Sequence, residues 1–193
     1  MKSIAVFCGS SSGHEPAYEE YAALTGKKLA TLNLELVYGG ARVGLMGAVA
    51  DAALKVGGKV TGIMPRFLKD KEIEHIGLTR LILVDTMHER KSMINDLSDG
   101  FIVMPGGYGS MDEFFEILTW AQLGLHQKPV AVLNLKGFYD PLIQLVDSMV
   151  EKGFLKPVNR EMLLVEENID DLIEKMSSYR PPAVTKWITK DKT

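Results

Sequence analysis

Gly100-Phe101-Ile102-Val103-Met104-Pro105-Gly106-Gly107-Tyr108-Gly109-Ser110-Met111-Asp112-Glu113 decides how the rest of the chain reads. Its first five residues are a short apolar run with the length of a buried strand. Pro105 to Gly109 interrupts that run, and the stretch from Met111 to about Leu123 has the length and apolar content of a helix. A strand that turns through glycines into a helix is the repeating step of an open parallel sheet.

The same step recurs outward in both directions. Strands are expected at Ile4–Phe7, Leu34–Tyr38, Val60–Met64, Leu81–Val84 and Val130–Leu133. Helices are expected from about Glu15-Pro16, over Leu45–Val56 and Met87–Leu97, and from about Tyr139 to Lys152. Continuous apolar strands alternating with helices predict a Rossmann-like, doubly wound parallel sheet, α/β, in a single domain over residues 1–180. Residues 181–193, with Pro181-Pro182 and Trp187, read as a C-terminal tail packed over it. Residues 66–79 are charged and irregular, a candidate lid.

Composition narrows the class. The 193 residues are 46% hydrophobic, enough for one sizeable core. The net charge of −3 and the lack of a long basic stretch argue against a polymeric nucleic acid as partner. Cys8 is the lone cysteine, which excludes an internal disulfide and fits a reducing compartment. No run approaches the roughly 20 apolar residues of a membrane span. These features together predict a cytoplasmic protein.

Ligands of open parallel sheets bind beyond the carboxyl ends of the strands, at the switch point. Three loops rich in small residues fall at that edge: Gly9-Ser10-Ser11-Ser12-Gly13, Gly39-Gly40-Ala41-Arg42-Val43-Gly44 and Pro105-Gly106-Gly107-Tyr108-Gly109-Ser110. Glycines let backbone amides approach an anion, and the helix behind such a loop adds favourable charge. The bland alternative is a set of tight turns that bind nothing. No loop matches the triphosphate-binding pattern or G-x-G-x-x-G, and no acid follows Tyr38-Gly39-Gly40 to hold a ribose. A dinucleotide is therefore disfavoured. His14, His75, His88 and His126 are scattered without zinc-like spacing, and Cys8 reads as a small apolar core residue.

Ser110-Met111-Asp112-Glu113 has the form of a capping box, with Ser110 as N-cap and Glu113 reaching back. Asp112 and Glu116 crowd the same turn, beside the glycine loop. Thr86 and Glu89 form a second such box, which places Arg90 and Lys91 near the start of their helix. Cations there oppose the helix dipole, a local cost that points to function. A salt bridge from Arg90 to Glu89 or Asp85 is the structural alternative.

Pro105-Gly106-Gly107-Tyr108-Gly109-Ser110-Met111-Asp112-Glu113 resembles the PGGxGTxxE motif of the LOG ("lonely guy") family, the cytokinin riboside 5′-monophosphate phosphoribohydrolases. Residues 38–47, Met87-His88-Glu89-Arg90-Lys91 and Thr119-Trp120-Ala121-Gln122-Leu123-Gly124 are similar to further family segments, in the family's order. The resemblance spans roughly residues 3–154. Ser110 replaces the usual Thr but keeps a hydroxyl. Phe67 to Arg80 matches the family poorly, which leaves the substituent on the adenine open.

The resemblance implies hydrolysis of the N-glycosidic bond of plain or N6-modified adenosine 5′-monophosphate, giving the free base and ribose 5-phosphate. It implies Arg90 and Glu113 as catalytic residues. The implied substrate-binding set is Gly40, Gly44, Met87, Lys91, Gly106, Gly107, Tyr108, Gly109, Ser110, Glu116 and Thr119. Among these, Gly106, Gly107, Gly109 and Ser110 would hold the 5′-phosphate. The chemistry calls for no cofactor and no metal. A homodimer is also implied, in keeping with a helix after Met111 that is apolar on more than one face. Some relatives are labelled lysine decarboxylases, but no lysine here lies in a recognisable Schiff-base context. The rival readings are a molybdenum-cofactor carrier of the same fold and a non-catalytic nucleotide-binding protein. Both need the phosphate loop, and neither requires Arg90 and Glu113 together.

Overall fold

In the computed structural model, which describes residues 1–68 and 74–182, seven short apolar strands pair into one parallel sheet. The chain runs β1 (Ser3–Phe7), α1 (Pro16–Thr31), β2 (Glu35–Tyr38), α2 (Gly44–Lys55), β3 (Val60–Pro65), β4 (Arg80–Val84), α3 (Met87–Leu97), β5 (Phe101–Val103) and α4 (Tyr108–Gln122). It continues with β6 (Val130–Leu133), α5 (Asp140–Glu151), α6 (Pro157–Arg160), β7 (Leu163–Glu166) and α7 (Ile169–Ser178). The strand order is β4-β3-β2-β1-β5-β6-β7. It reverses between β1 and β5, so the switch point lies between the loops that follow those two strands.

Alternation along each strand divides the core into two layers. Ile4, Val6, Leu36, Tyr38, Ile102 and Leu133 face α1, α2 and α7, meeting Ala22, Leu29, Val49 and Leu172. Ala5, Phe7, Val37, Phe101, Val103 and Val132 face α3, α4 and α5, meeting Ile94, Phe114, Ile117 and Val146. Every residue of β1 is buried, with Ala5 registered between Val37 and Phe101. Burial of one such large side chain contributes roughly 1.5–3 kcal/mol. The central strand is thus the best-anchored part of the sheet, and it delivers one of the glycine loops.

The six expected strands and the helices α1, α2, α3 and α5 form where the sequence places them. Two results differ. Helix α4 starts at Tyr108, three residues before Met111. Its N-cap is Gly107, in extended backbone, and the helix winds straight out of the glycine turn without waiting for a capping hydroxyl. The sequence pattern also omits β7 and α7, which complete one edge of the sheet. Their signals are short: the run Leu163-Leu164-Val165, and Asn168, whose Oδ1 accepts the Asp171 amide at 2.9 Å.

Of the candidate lid, Arg66–Leu68 form a single 3-10 turn, residues 69–73 lie outside the described residues, and Glu74 bridges antiparallel to Ala41. The tail from residue 183, with Trp187, is likewise outside them. Among the described residues no helix is long and apolar enough to cross a membrane.

His126 closes the turn between α4 and β6. Its ring sits 2.8 Å from the Ile117 carbonyl through Nε2, and its Nδ1 accepts the Lys128 amide at 3.2 Å. An amide donated to Nδ1 requires that nitrogen unprotonated, so Nε2–H is the donor to Ile117. Burial pushes the pKa down to about 4, with Lys128 acting in the same direction against the Ile117 hydrogen bond. The unfolded chain therefore binds this proton more readily than the fold does. The stabilisation is complete above the unfolded pKa and is lost as pH falls through the folded one. We expect about 3 kcal/mol to disappear in this window. Urea unfolding across the same pH range should show that acid limb flattened in His126→Gln.

Candidate active site

At the switch point the three glycine loops are tied to one another through backbone. The Gly9 amide donates to the Pro105 carbonyl at 2.9 Å, and the Gly9 carbonyl accepts the Leu45 amide at 3.1 Å. The Met104 amide donates to Phe7 at 2.9 Å. Gly44 has φ +57, and a Cβ there would stand 2.4 Å from the Ser10 carbonyl carbon, so the start of α2 lies directly on the first loop. From behind, the buried Tyr139 hydroxyl donates to the Met104 carbonyl at 2.7 Å. Asn134 Oδ1 holds the Tyr139 amide at 2.8 Å. Sequence reading missed Tyr139 and Asn134. Neither carries a motif, and their role exists only once β6 lies beside β5.

These loops frame a cavity of about 210 Å³. Cys8, Gly9, Ser10 and Met46 line one side, Gly107 to Ser110 the other, and Met87, Arg90, Asp112 and Glu113 the remainder. A larger depression of about 420 Å³ lies at the opposite, amino edge of the sheet, among Lys2, Asn33, Glu35 and Lys59. The switch-point rule places ligands at the carboxyl edge, and the ionisable groups that converge on each other are there too.

The capping-box reading of Ser110 is overturned. Ser110 is the third residue of α4 and is buried, its Oγ packed over Gly106, where a Cβ would come within 2.2 Å of it. The N-cap of α4, Gly107, has no side chain to supply a cap, and no acid lies in the first turn. The leading amides of this helix, which lack intrahelical partners, are therefore left for a ligand, the arrangement that suits an anion. Asp112 and Glu113 fall in the second turn, so Glu113 draws little on the helix dipole.

Glu113 is instead matched to Arg90. Arg90 Nη2 lies 3.2 Å from Glu113 Oε1, with side chains 8% and 10% exposed. Arg90 Nη1 also contacts Met87 Sδ at 3.8 Å, and among the described residues its buried Nε has no hydrogen-bond partner. The alternative of a bridge to Glu89 or Asp85 fails. Glu89 accepts the Asp85 amide at 2.8 Å, Thr86 caps Glu89 at 3.1 Å, and Asp85 pairs with Arg66 at 3.1 Å. Helix α3 therefore starts as the sequence indicates, and that start turns Arg90 inward.

The other candidate residues separate. Met87, Gly107, Tyr108, Gly109 and Ser110 line the cavity with Arg90 and Glu113. Tyr108 is 96% exposed at its mouth. Gly40, Gly44 and Gly106 do not line it: Gly40 accepts the His75 amide at 3.1 Å, while Gly44 and Gly106 seat the loops against each other. Glu116 and Thr119 line a shallow groove on α4 with Met111, Asp112, Phe115 and Trp120. Lys91 reaches it from α3, 3.2 Å from Asp112 and 3.0 Å from Glu116. Burial pulls the Lys91 pKa down, but hydrogen bonds and charge from Glu116 and Asp112 outweigh it and hold the ammonium above its usual value. The Cys8 thiol, in the cavity wall, is pushed up by burial and then by the Glu113 charge, and stays neutral. His75, at 3.0 Å from Asp51, and His126 are both structural.

A doubly wound sheet that sets a helix start without a capping side chain beside a buried guanidinium–carboxylate pair defines an α/β protein with an anion-suited pocket at its switch point. A family profile described as possible lysine decarboxylase matches residues 46–176. Over 181 residues the chain is 45% identical to a cytokinin riboside 5′-monophosphate phosphoribohydrolase of Arabidopsis thaliana, covering 94% of this chain and 79% of that one. Over 178 residues it is 44% identical to the Rhodococcoides fascians protein of the same name, covering 92% and 90%. The chain belongs to this family, the LOG family.

Solved structures share the fold at lower identity. The molybdenum cofactor binding protein of Rippkaea orientalis superposes with a TM-score of 0.67 at 21% identity, over 91% of this chain and 95% of that one. A molybdenum-cofactor carrier protein of Chlamydomonas reinhardtii gives 0.68 at 18%, over 91% and 94%. For the decarboxylase description, Lys91 is poorly suited: Schiff-base chemistry needs a neutral amine, and its two acids hold it protonated.

Gly44→Ala tests how the loops are tied. The substitution places a side chain in left-handed backbone and against Ser10. A loss on the order of 2–3 kcal/mol is expected by urea denaturation. Nucleotide binding, measured by calorimetry on the folded fraction, should weaken with it.

Proposed function

We propose that this protein hydrolyses the N-glycosidic bond of adenosine 5′-monophosphate or an N6-modified relative, releasing the free base and ribose 5-phosphate. The observation that carries the reading is the buried Arg90–Glu113 pair beside the uncapped start of α4. The curated relatives bear the name of this activity.

The 5′-phosphate takes the amides of Gly107, Tyr108 and Gly109 and the Ser110 hydroxyl, and anchors the ribose toward Glu113. Departure of the base breaks the bond between C1′ and the base nitrogen. The electron pair leaves with the base, and an oxocarbenium-like sugar remains. The Glu113 carboxylate faces that cation and orients the water whose oxygen bonds to C1′. A proton from that water ends on the base. Arg90 fixes the carboxylate's position through Nη2 and offers positive charge to the substrate. Met87 lines the wall beside it. Lys91, Glu116 and Thr119, on the groove of α4, belong to a surface where a second copy of the chain completes the site as a homodimer. The half-exposed Phe115 and the adjoining Trp120 supply its apolar part. A cytoplasmic location suits the lone unpaired cysteine.

A carrier of the same fold would use the anion loop but give no role to the Arg90–Glu113 pair, and it would release no base. The first test is therefore free adenine from AMP, compared with adenosine. The phosphate anchor should raise kcat/KM for AMP by roughly 10²-fold or more over adenosine. Equal efficiency on the two would remove the phosphate site from the mechanism.

Glu113→Gln isolates the charge. The amide keeps the shape but cannot stabilise a cation or activate water. Turnover should fall about 10²–10⁴-fold, while AMP still binds because its phosphate contacts are untouched. Calorimetry and a base-release assay on the folded variant check both halves. Loss of the partner of a buried guanidinium should also lower stability by about 1–3 kcal/mol.

A further inference from the structure

We infer that Gly39 is a positioning residue for this reaction: the missing side chain at the end of β2 is the seat on which the Arg90 guanidinium lies. The inference rests on the role of Arg90 in the proposed hydrolysis. Gly39 is buried at the carboxyl end of β2. A Cβ built there would stand 2.4 Å from Arg90 Nη2 and 3.4 Å from its Cζ, with Met46 Sδ at 3.2 Å on another side. Nη2 is also the nitrogen that meets Glu113 Oε1 at 3.2 Å. One atom thus both occupies the space a Gly39 side chain would need and meets the carboxylate proposed to face the sugar.

The clash has an unusual character. Gly39 does not use left-handed backbone, so alanine meets no such strain there. The atom in the way is the tip of a long side chain, which can yield where backbone cannot. Ordinary contact between such atoms needs about 3.5 Å, so the guanidinium must move by about 1 Å. The fold absorbs that shift cheaply. The Arg90–Glu113 geometry does not, because misplacement of a reacting group by about 1 Å can cost 10²-fold in rate. Gly39→Ala should therefore separate activity from stability. In sequence this glycine looks like one more member of a phosphate loop, yet neither it nor Gly40 lines the cavity where the phosphate would sit.

The test is a double-mutant cycle with AMP, read by adenine release and thermal melting. In Gly39→Ala we expect kcat to fall about 10–100-fold, KM to change less than about threefold and melting to move by only a few degrees. In an Arg90→Lys background the same alanine should change kcat by less than about twofold, since lysine carries no nitrogen at the place of Nη2. Wild-type kcat in Gly39→Ala overturns the inference. So does an equal fold-loss in both backgrounds, or a collapse of the melting temperature, which would show the fold and not the arginine absorbing the clash. Full turnover in Arg90→Ala would remove the catalytic reading itself and the inference with it. An inactive Arg90→Ala beside a fully active Gly39→Ala overturns the inference alone.

Discussion

The backbone of Gly9 is the joint on which the site depends. Its amide is bound to Pro105 and its carbonyl to Leu45. One residue at the end of the central strand therefore couples the loop after β5 to the start of α2. Strand order makes this possible, because β1 and β5 are neighbours although β2, β3 and β4, with helices α1, α2 and α3, lie between them in the chain. With these loops fixed, the uncapped end of α4 and the wall carrying Cys8 and Ser10 face each other across a space the size of a small ligand group. Tyr139 then secures the Met104 carbonyl from the second layer, so the turn is held from both sides of the sheet.

Upon that joint sits a buried charge pair. Burying a guanidinium and a carboxylate costs several kcal/mol per ion, and their attraction returns that only if geometry is good. The Arg90–Glu113 contact is no shorter than 3.2 Å, and among the described residues Arg90 Nε lacks a hydrogen-bond partner. For stability alone this is a poor arrangement. It is a good one for a site in which a substrate supplies the missing contacts. The neighbouring charges behave otherwise: Lys91 is shared between Asp112 and Glu116, at 3.2 Å and 3.0 Å, along the outer groove. The acids of α4 thus divide into one turned inward to Arg90 and two that share Lys91.

Much of the frame was legible from residues alone. Apolar runs such as Val130–Leu133 and capping residues such as Thr86 act over a few positions, and the strands and α3 formed accordingly. The start of α4 was not legible in the same way. Ser110 and Glu113 have capping-box spacing, but the pattern describes what a hydroxyl and a carboxylate would do without better partners. Here Gly107 leads directly into the helix, Ser110 packs over Gly106, and Glu113 finds Arg90. The edge pair β7 and α7 was not legible because the apolar run Leu163-Leu164-Val165 leads into Glu166 and α7 opens on Asp170 and Asp171, so its apolar residues gain weight only once β7 pairs with β6.

The sequence by itself determined a doubly wound sheet, three glycine loops at one edge, and the family motif that marks Arg90 and Glu113. These follow from local periodicity, turn chemistry and residue identity, which operate over short chain distances. Only the tertiary structure decided which groups meet. It alone joins Arg90 to a carboxylate 23 residues away across two helices, sets Gly39 beneath that guanidinium, and sends Lys91 to the outer groove instead of the cavity. The physical reason is that such contacts depend on where separate elements come to lie, and packing of the two core layers fixes those positions together.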